Sequence, residues 1–156
     1  MKRLICVCGI LLGLATIRSA PVIADSEARS VTGAGAGLFG AGAVLGAVAL
    51  QGIELGTGVF IEADGSASGT FHAVLLGSSL GVARQITVEG KATEGSVGAD
   101  GRASFSGTAS LDLGDGAPAL PGVAFRVIAG ADGLVLAIDS TTLPAAGLSA
   151  GAVTIE

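Results

Sequence analysis

Four Asp-Gly dipeptides, Asp64-Gly65, Asp100-Gly101, Asp115-Gly116 and Asp132-Gly133, punctuate the chain, and three of them are Ala-Asp-Gly. Asp-Gly readily takes the positive φ angles of tight hairpin turns. Between these corners the side chains alternate. Over Ala103–Leu113, Phe105, Gly107, Ala109, Leu111 and Leu113 share one face, and Ser104, Ser106, Thr108, Ser110 and Asp112 share the other. That is the pattern of a half-buried antiparallel strand. In Ile53–Glu62, Ile53, Leu55, Val59 and Ile61 oppose Glu54 and Glu62; in Ile86–Ala92, Ile86 and Val88 oppose Thr87, Glu89 and Lys91.

Adding Val31–Gly37, Ala67–Leu76, Val123–Ala129, Leu134–Asp139 and Ala150–Glu156 gives about eight short strands. The predicted fold is all-β and antiparallel, joined by Asp-Gly hairpins, and closed as a small β-barrel, with a β-sandwich as the alternative. Closure is favoured because few charges are present to protect an open edge. Pro118–Pro121 and Leu143-Pro144 read as loops or strand beginnings, since proline cannot donate to a ladder. Glycine is in excess, 25 of the 132 residues after position 24. Each one inside regular structure costs about 0.5–1 kcal/mol relative to alanine, so the excess answers a geometric demand such as turns, bulges or close backbone approach.

The N-terminus reads as a secretory leader. Met1, Lys2 and Arg3 precede an uncharged apolar run from Leu4 to Ile17, and Val22-Ile23-Ala24 suits a signal peptidase. The run falls short of the roughly 20 apolar residues that span a bilayer. The expected organisation is a signal peptide over 1–24, a short polar segment over 25–30 and a single all-β domain over 31–156. Cys6 and Cys8 lie inside the apolar run, not just after it as a lipoprotein signal requires. Cleavage removes both, which excludes a disulfide scaffold. It also removes Lys2, Arg3 and Arg18 but no acid, so five basic residues face thirteen acidic ones and the net charge is −8. Such a chain repels nucleic acid and anionic membrane surfaces. The expected location is extracellular, periplasmic or in the cell envelope.

The succession Val31-Thr32-Gly33-Ala34-Gly35, Ile86–Gly90, Ala103-Ser104-Phe105-Ser106-Gly107-Thr108-Ala109, Phe125-Arg126-Val127 and Leu148–Ile155 resembles the post-COAP-1 type of bacterial secreted β domain. It departs from that type in lacking an Asn-Ile ending and the aromatic residues such domains carry. The resemblance implies an exported β module without an established activity, and it transfers no catalytic residue.

Three motif matches are weighed and set aside. Gly35-Ala36-Gly37-Leu38-Phe39-Gly40 fits the dinucleotide fingerprint, which has meaning only between a strand and a helix. Gly77-Ser78-Ser79-Leu80-Gly81 fits the nucleophile elbow, which requires a strand-to-helix turn and a downstream histidine. The only histidine is His72, upstream and expected to be exposed on a strand. The uncharged stretch Gly33–Leu50 is long enough for a membrane helix, but six glycines make it a poor one, so a buried strand and a glycine-rich turn is the primary reading and a membrane-active segment the lesser one.

No catalytic, cofactor-binding or metal-binding residue is therefore expected. One histidine and no cysteine after the leader leave only carboxylates, and no Asp-x-Asp-x-Asp calcium loop exists. Glu54 and Glu62 could be taken for a sugar-hydrolysing pair, but no Trp or Tyr is present as a platform. The leading expectation is a non-catalytic envelope or extracellular module, structural or weakly interacting. The alternative is a small barrel whose interior, lined by Leu55, Val59, Phe71, Leu75, Phe105 and Leu111, holds an apolar, lipid-like molecule. A hydrolase comes last.

Overall fold

The computed structural model describes residues 27–156; the leader, its cysteines and its cleavage point lie outside the described residues. Every regular element in that range is a strand: β1 (Arg29–Phe39), β2 (Val44–Leu45), β3 (Val48–Ile61), β4 (Ala67–Ser79), β5 (Val82–Val97), β6 (Ala103–Asp112), β7 (Leu120–Gly130), β8 (Gly133–Ile138), β9 (Thr141–Thr142) and β10 (Ala146–Ile155). All pairings are antiparallel, in the order β1-β10-β8-β7-β6-β5-β4-β3-β2, with β9 beside β8. Because β1 also pairs with β3, hydrogen bonds run in a ring through β1, β3, β4, β5, β6, β7, β8 and β10.

The eight ring strands overlap the eight anticipated but several run longer: β1 begins at Arg29 instead of Val31, β3 at Val48 instead of Ile53, β7 at Leu120 instead of Val123 and β10 at Ala146 instead of Ala150, and β5 spans Val82–Val97 instead of Ile86–Ala92. The two-residue β2 and β9 are too short to show any period. Along β3, Ile53, Leu55, Val59 and Ile61 are buried while Glu54 and Phe60 are exposed; along β5, Ile86 and Val88 are buried while Glu89 and Lys91 are exposed. Among the described residues no polar or charged residue is buried.

The turns differ from expectation. At Asp64-Gly65 and Asp100-Gly101 the loop has three residues: Gly65 N–H donates to the Glu62 carbonyl and Gly101 N–H to the Gly98 carbonyl, at 3.0 Å each. Only the glycines take a positive φ, +86° and +75°, so the aspartates close a type I turn and the glycine supplies the bulge that follows it. Each aspartate instead anchors the turn by its carboxylate, Asp64 accepting from Ser66 N–H at 2.9 Å and Asp100 from Arg102 N–H at 3.2 Å. Asp132 belongs to the two-residue loop Ala131-Asp132, with Gly133 already in β8 opposite Gly130. Asp115-Gly116 lies in the long β6–β7 connection, not in a hairpin. The two-residue β4–β5 hairpin has no Asp-Gly: Ser79 pairs with Val82 around Leu80 (φ +51°) and Gly81 (φ +78°).

Two face assignments are also corrected. Leu113 is 37% exposed because β6 ends at Asp112, before it; up to that end the alternation holds, with Ala109 and Leu111 both buried. Gly33–Leu50 forms β1, a turn, β2 and the start of β3, and not all of it is buried, since Leu38 and Val44 are more than half exposed. No helix among the described residues is long and apolar enough to cross a membrane.

The interior is organised around three aromatic rings. Phe71 stacks on Phe125 at a centroid distance of 5.8 Å and meets Phe105 edge-on at 5.9 Å; Phe105 and Phe125 complete the triangle at 6.4 Å. Gly90, on β5, makes room for it: a Cβ there would stand 2.7 Å from Cε1 of Phe125. One interior position is imperfect. The Thr57 hydroxyl is buried without a hydrogen-bond partner. Burying a hydroxyl without a partner costs roughly 1–3 kcal/mol in proteins. The near-isosteric Thr57→Val is therefore expected to raise the unfolding free energy by about 1 kcal/mol, read from the urea midpoint at unchanged slope.

Candidate functional site

Leu55, Val59, Phe71, Leu75, Phe105 and Leu111 are all buried, and all six belong to the one apolar core. None of them presents chemistry beyond apolar contact. The polar groups lie on the other face of the same strands, and the pairing register decides which of them meet.

Outward-facing residues of β4, β5 and β6 line up in two consecutive rungs. His72 stands opposite Glu89, and Glu89 opposite Ser110; Thr70 stands opposite Lys91, and Lys91 opposite Thr108. Directly opposed side chains on antiparallel strands have Cβ atoms about 4.5–5.5 Å apart, so each rung is a row of neighbours. The six side chains form a grid carrying one carboxylate, one ammonium, one imidazole and three hydroxyls. With Pro121 and Gly122 at the start of β7 they line an open cleft of about 630 Å³. The two ion pairs among the described residues lie elsewhere, Arg29 with Glu27 at 3.9 Å and Arg102 with Asp132 at 3.6 Å. The grid thus offers an acceptor, a cationic donor and hydroxyls side by side to a polar ligand lying along the sheet.

His72 is exposed, as the alternation of Phe71, Ala73 and Leu75 requires. Its outward position was legible from the sequence, as were those of Glu89 and Lys91. Their grouping was not, because neither strand records which residue of its neighbour it faces. The serine of Gly77-Ser78-Ser79-Leu80-Gly81 sits at the end of β4 and runs into a hairpin, not a helix, so the elbow geometry is absent there. Gly35–Gly40 runs along β1 and just past its end.

A second polar cleft, also about 630 Å³, is lined by Asp64, Ser66, Thr93, Glu94, Ser104 and Arg126 among others. Its groups are largely committed to one another. Arg126 Nε donates to Ser104 Oγ at 3.1 Å, and Asp64 Oδ1 accepts from both the Ser66 amide and the Ser66 hydroxyl, the latter at 2.7 Å. The Ser66 hydroxyl and amide hold the Asp64 carboxyl below its ordinary value of 3.8. A carboxyl that is more acidic in the folded chain adds stability above its ordinary value and loses it as the pH falls through the lowered one. By side-chain NMR, Asp64 is expected to titrate below 3.8, and Ser66→Ala to move that midpoint upward. An unchanged midpoint would show that the turn does not hold the carboxylate.

Among the described residues no three His, Cys, Asp or Glu side chains come together as a metal would require. Glu54 and Glu62 are both exposed; Glu54 faces Val74 on β4, and Glu62 lies just past the end of β3. Compared with known protein families, with curated proteins and with solved structures, the chain matches none.

Proposed function

We propose that this chain is an exported, non-catalytic β module of the cell envelope or extracellular space, structural or weakly interacting, whose contacts are made on its outer surface. The separation of chemistry from core carries this reading. Apart from Thr57, polar and ionisable side chains stand on the outer faces, and the centre is occupied by the Phe71, Phe105 and Phe125 rings. Interiors close-packed in this way leave few voids larger than a water molecule. That weighs against the carriage of a lipid-like molecule between the strands. The His72–Glu89–Lys91 grid is the surface we assign to weak recognition of a polar ligand, since an open, solvated cleft with no aromatic anchor gives modest affinity.

The leader-like N-terminus and the resemblance of Val31–Gly35, Ala103–Ala109 and Leu148–Ile155 to secreted bacterial β domains support export. Native mass spectrometry of the protein purified from its own host tests both parts together. The expected spectrum is a single bare species with the mass of residues 25–156. A retained adduct of lipid size would favour the carrier reading, and a mass starting at Met1 would contradict export.

A further inference from the structure

Two hairpin ends lie side by side at one end of the sheet: β2–β3, around Gly46-Ala47, and β4–β5, around Leu80-Gly81. They are adjacent because Val44 pairs with Ala49, Ala49 with Ser78, and Ser78 with Ala83. Neither carries a charge. From Gly33 to Ile53 and from Ala73 to Ala83 there is no acidic or basic residue, in a chain with thirteen acids. Instead the two ends display Val44 at 53% exposure, Val82 at 58% and Leu80 at 102%.

Leu80 is an unexpected residue for its place. It holds φ at +51° in a two-residue turn, where asparagine or glycine is the favoured residue and a leucine backbone is strained. A residue that strains the turn and buries nothing within the chain gains only if its side chain enters an apolar phase outside it. At 102% exposure no neighbour covers its side chain, which suits a fluid medium and not a partner that must offer a shaped pocket. Along the β4–β5 hairpin the first charge after the tip is a cation, Arg84. It is half-buried and held in place by donation from Nη1 to the Gly114 carbonyl at 2.8 Å, with its remaining guanidinium donors left over.

We propose that the paired tips, Leu80 and Val82 with Val44 beside them, insert into the interfacial region of a phospholipid bilayer, with Arg84 at the phosphate level. This site is separate from the His72–Glu89–Lys91 grid and does not depend on it. Because the rest of the domain is strongly acidic, zwitterionic lipid is the preferred surface, and anionic lipid does not strengthen binding.

The test uses the protein as its host leaves it and its Leu80→Asn and Val82→Thr variants, with phosphatidylcholine vesicles in a sedimentation assay. Asparagine suits the positive φ at position 80, so Leu80→Asn is expected to melt no lower than the parent, which keeps folding out of the comparison. The proposal expects the parent to partition onto the vesicles and Leu80→Asn to lose about tenfold or more in partition coefficient, with a smaller loss for Val82→Thr. Absence of vesicle binding by the parent, or equal binding by Leu80→Asn, overturns it. So does a vesicle-independent, concentration-dependent dimer abolished by Leu80→Asn with no partition onto lipid, which would assign the tips to a second copy of the chain.

Discussion

Phe71→Ala is expected to lower the free energy of unfolding by about 3–5 kcal/mol in urea denaturation, the range for removing a fully buried phenylalanine. Phe71 is 1% exposed and lies between two rings, stacked on Phe125 and edge-on to Phe105. Its loss removes both aromatic contacts, each worth roughly 0.5–1.5 kcal/mol beyond buried area, and leaves a void that flanking strands cannot close without breaking their ladders. The total stability of a domain is about 5–15 kcal/mol, so the variant should be near the limit of folding. A loss below about 1 kcal/mol would mean that the centre of the ring is not packed, and would revive the reading in which it holds a ligand.

The second large effect is expected at the seam between β1 and β10. Gly151 has φ +82°, and a Cβ on it would run into the Ala34 carbonyl oxygen and stand 2.5 Å from Gly35 Cα. Both obstacles are backbone, so no rotamer change relieves them. A non-glycine residue held at such a φ costs about 1–3 kcal/mol by itself, and a β-branched one more. Gly151→Val is therefore expected to destabilise the chain by more than about 3 kcal/mol and to accelerate amide exchange first in β1 and β10. Gly147, on the same strand, has no atom within 4 Å of its Cβ position and no positive φ, so Gly147→Ala should stay within about 1 kcal/mol of the parent. Equal tolerance at the two glycines would contradict the close approach of these strands.

The contrast between these two sites explains what could be read from the sequence. Around Phe71 the pattern is written in side chains: Phe71, Ala73 and Leu75 alternate with Thr70, His72 and Val74, and large apolar groups every second residue admit one arrangement on a half-buried strand. The six interior residues were legible for the same reason. Along β1 the residues from Gly33 to Gly37 are all glycine or alanine, and a run of small residues shows no face. That β1 touches both β3 and β10 was invisible, because the pairs that close the ring, such as Val31 with Ile155, lie at opposite ends of the chain. Local propensity carries no information about such contacts.

The misplaced corners have a similar origin. Asp-Gly marks a turn but does not distinguish a two-residue loop from a type I turn followed by a glycine bulge, which depends on where the ladder stops. A period of two places Leu113 inward but does not show where the strand stops, and β6 ends one residue before it. The outer grid was half legible. The sequence placed His72, Glu89 and Lys91 on solvent faces, and only the register between β4 and β5 puts His72 beside Glu89 and Thr70 beside Lys91. Leu80 carried no signal at all, since its residue type argues against the turn it occupies.

The ring of strands is the premise on which the buried centre, the outer grid and the two projecting tips all rest. Cross-strand nuclear Overhauser effects from β1 test it most directly. The account predicts contacts from the Val31 backbone to both Val59 on β3 and Ile155 on β10 in the same molecule. Contacts to only one of the two strands, in a folded sample, would leave β1 as an open edge and contradict it.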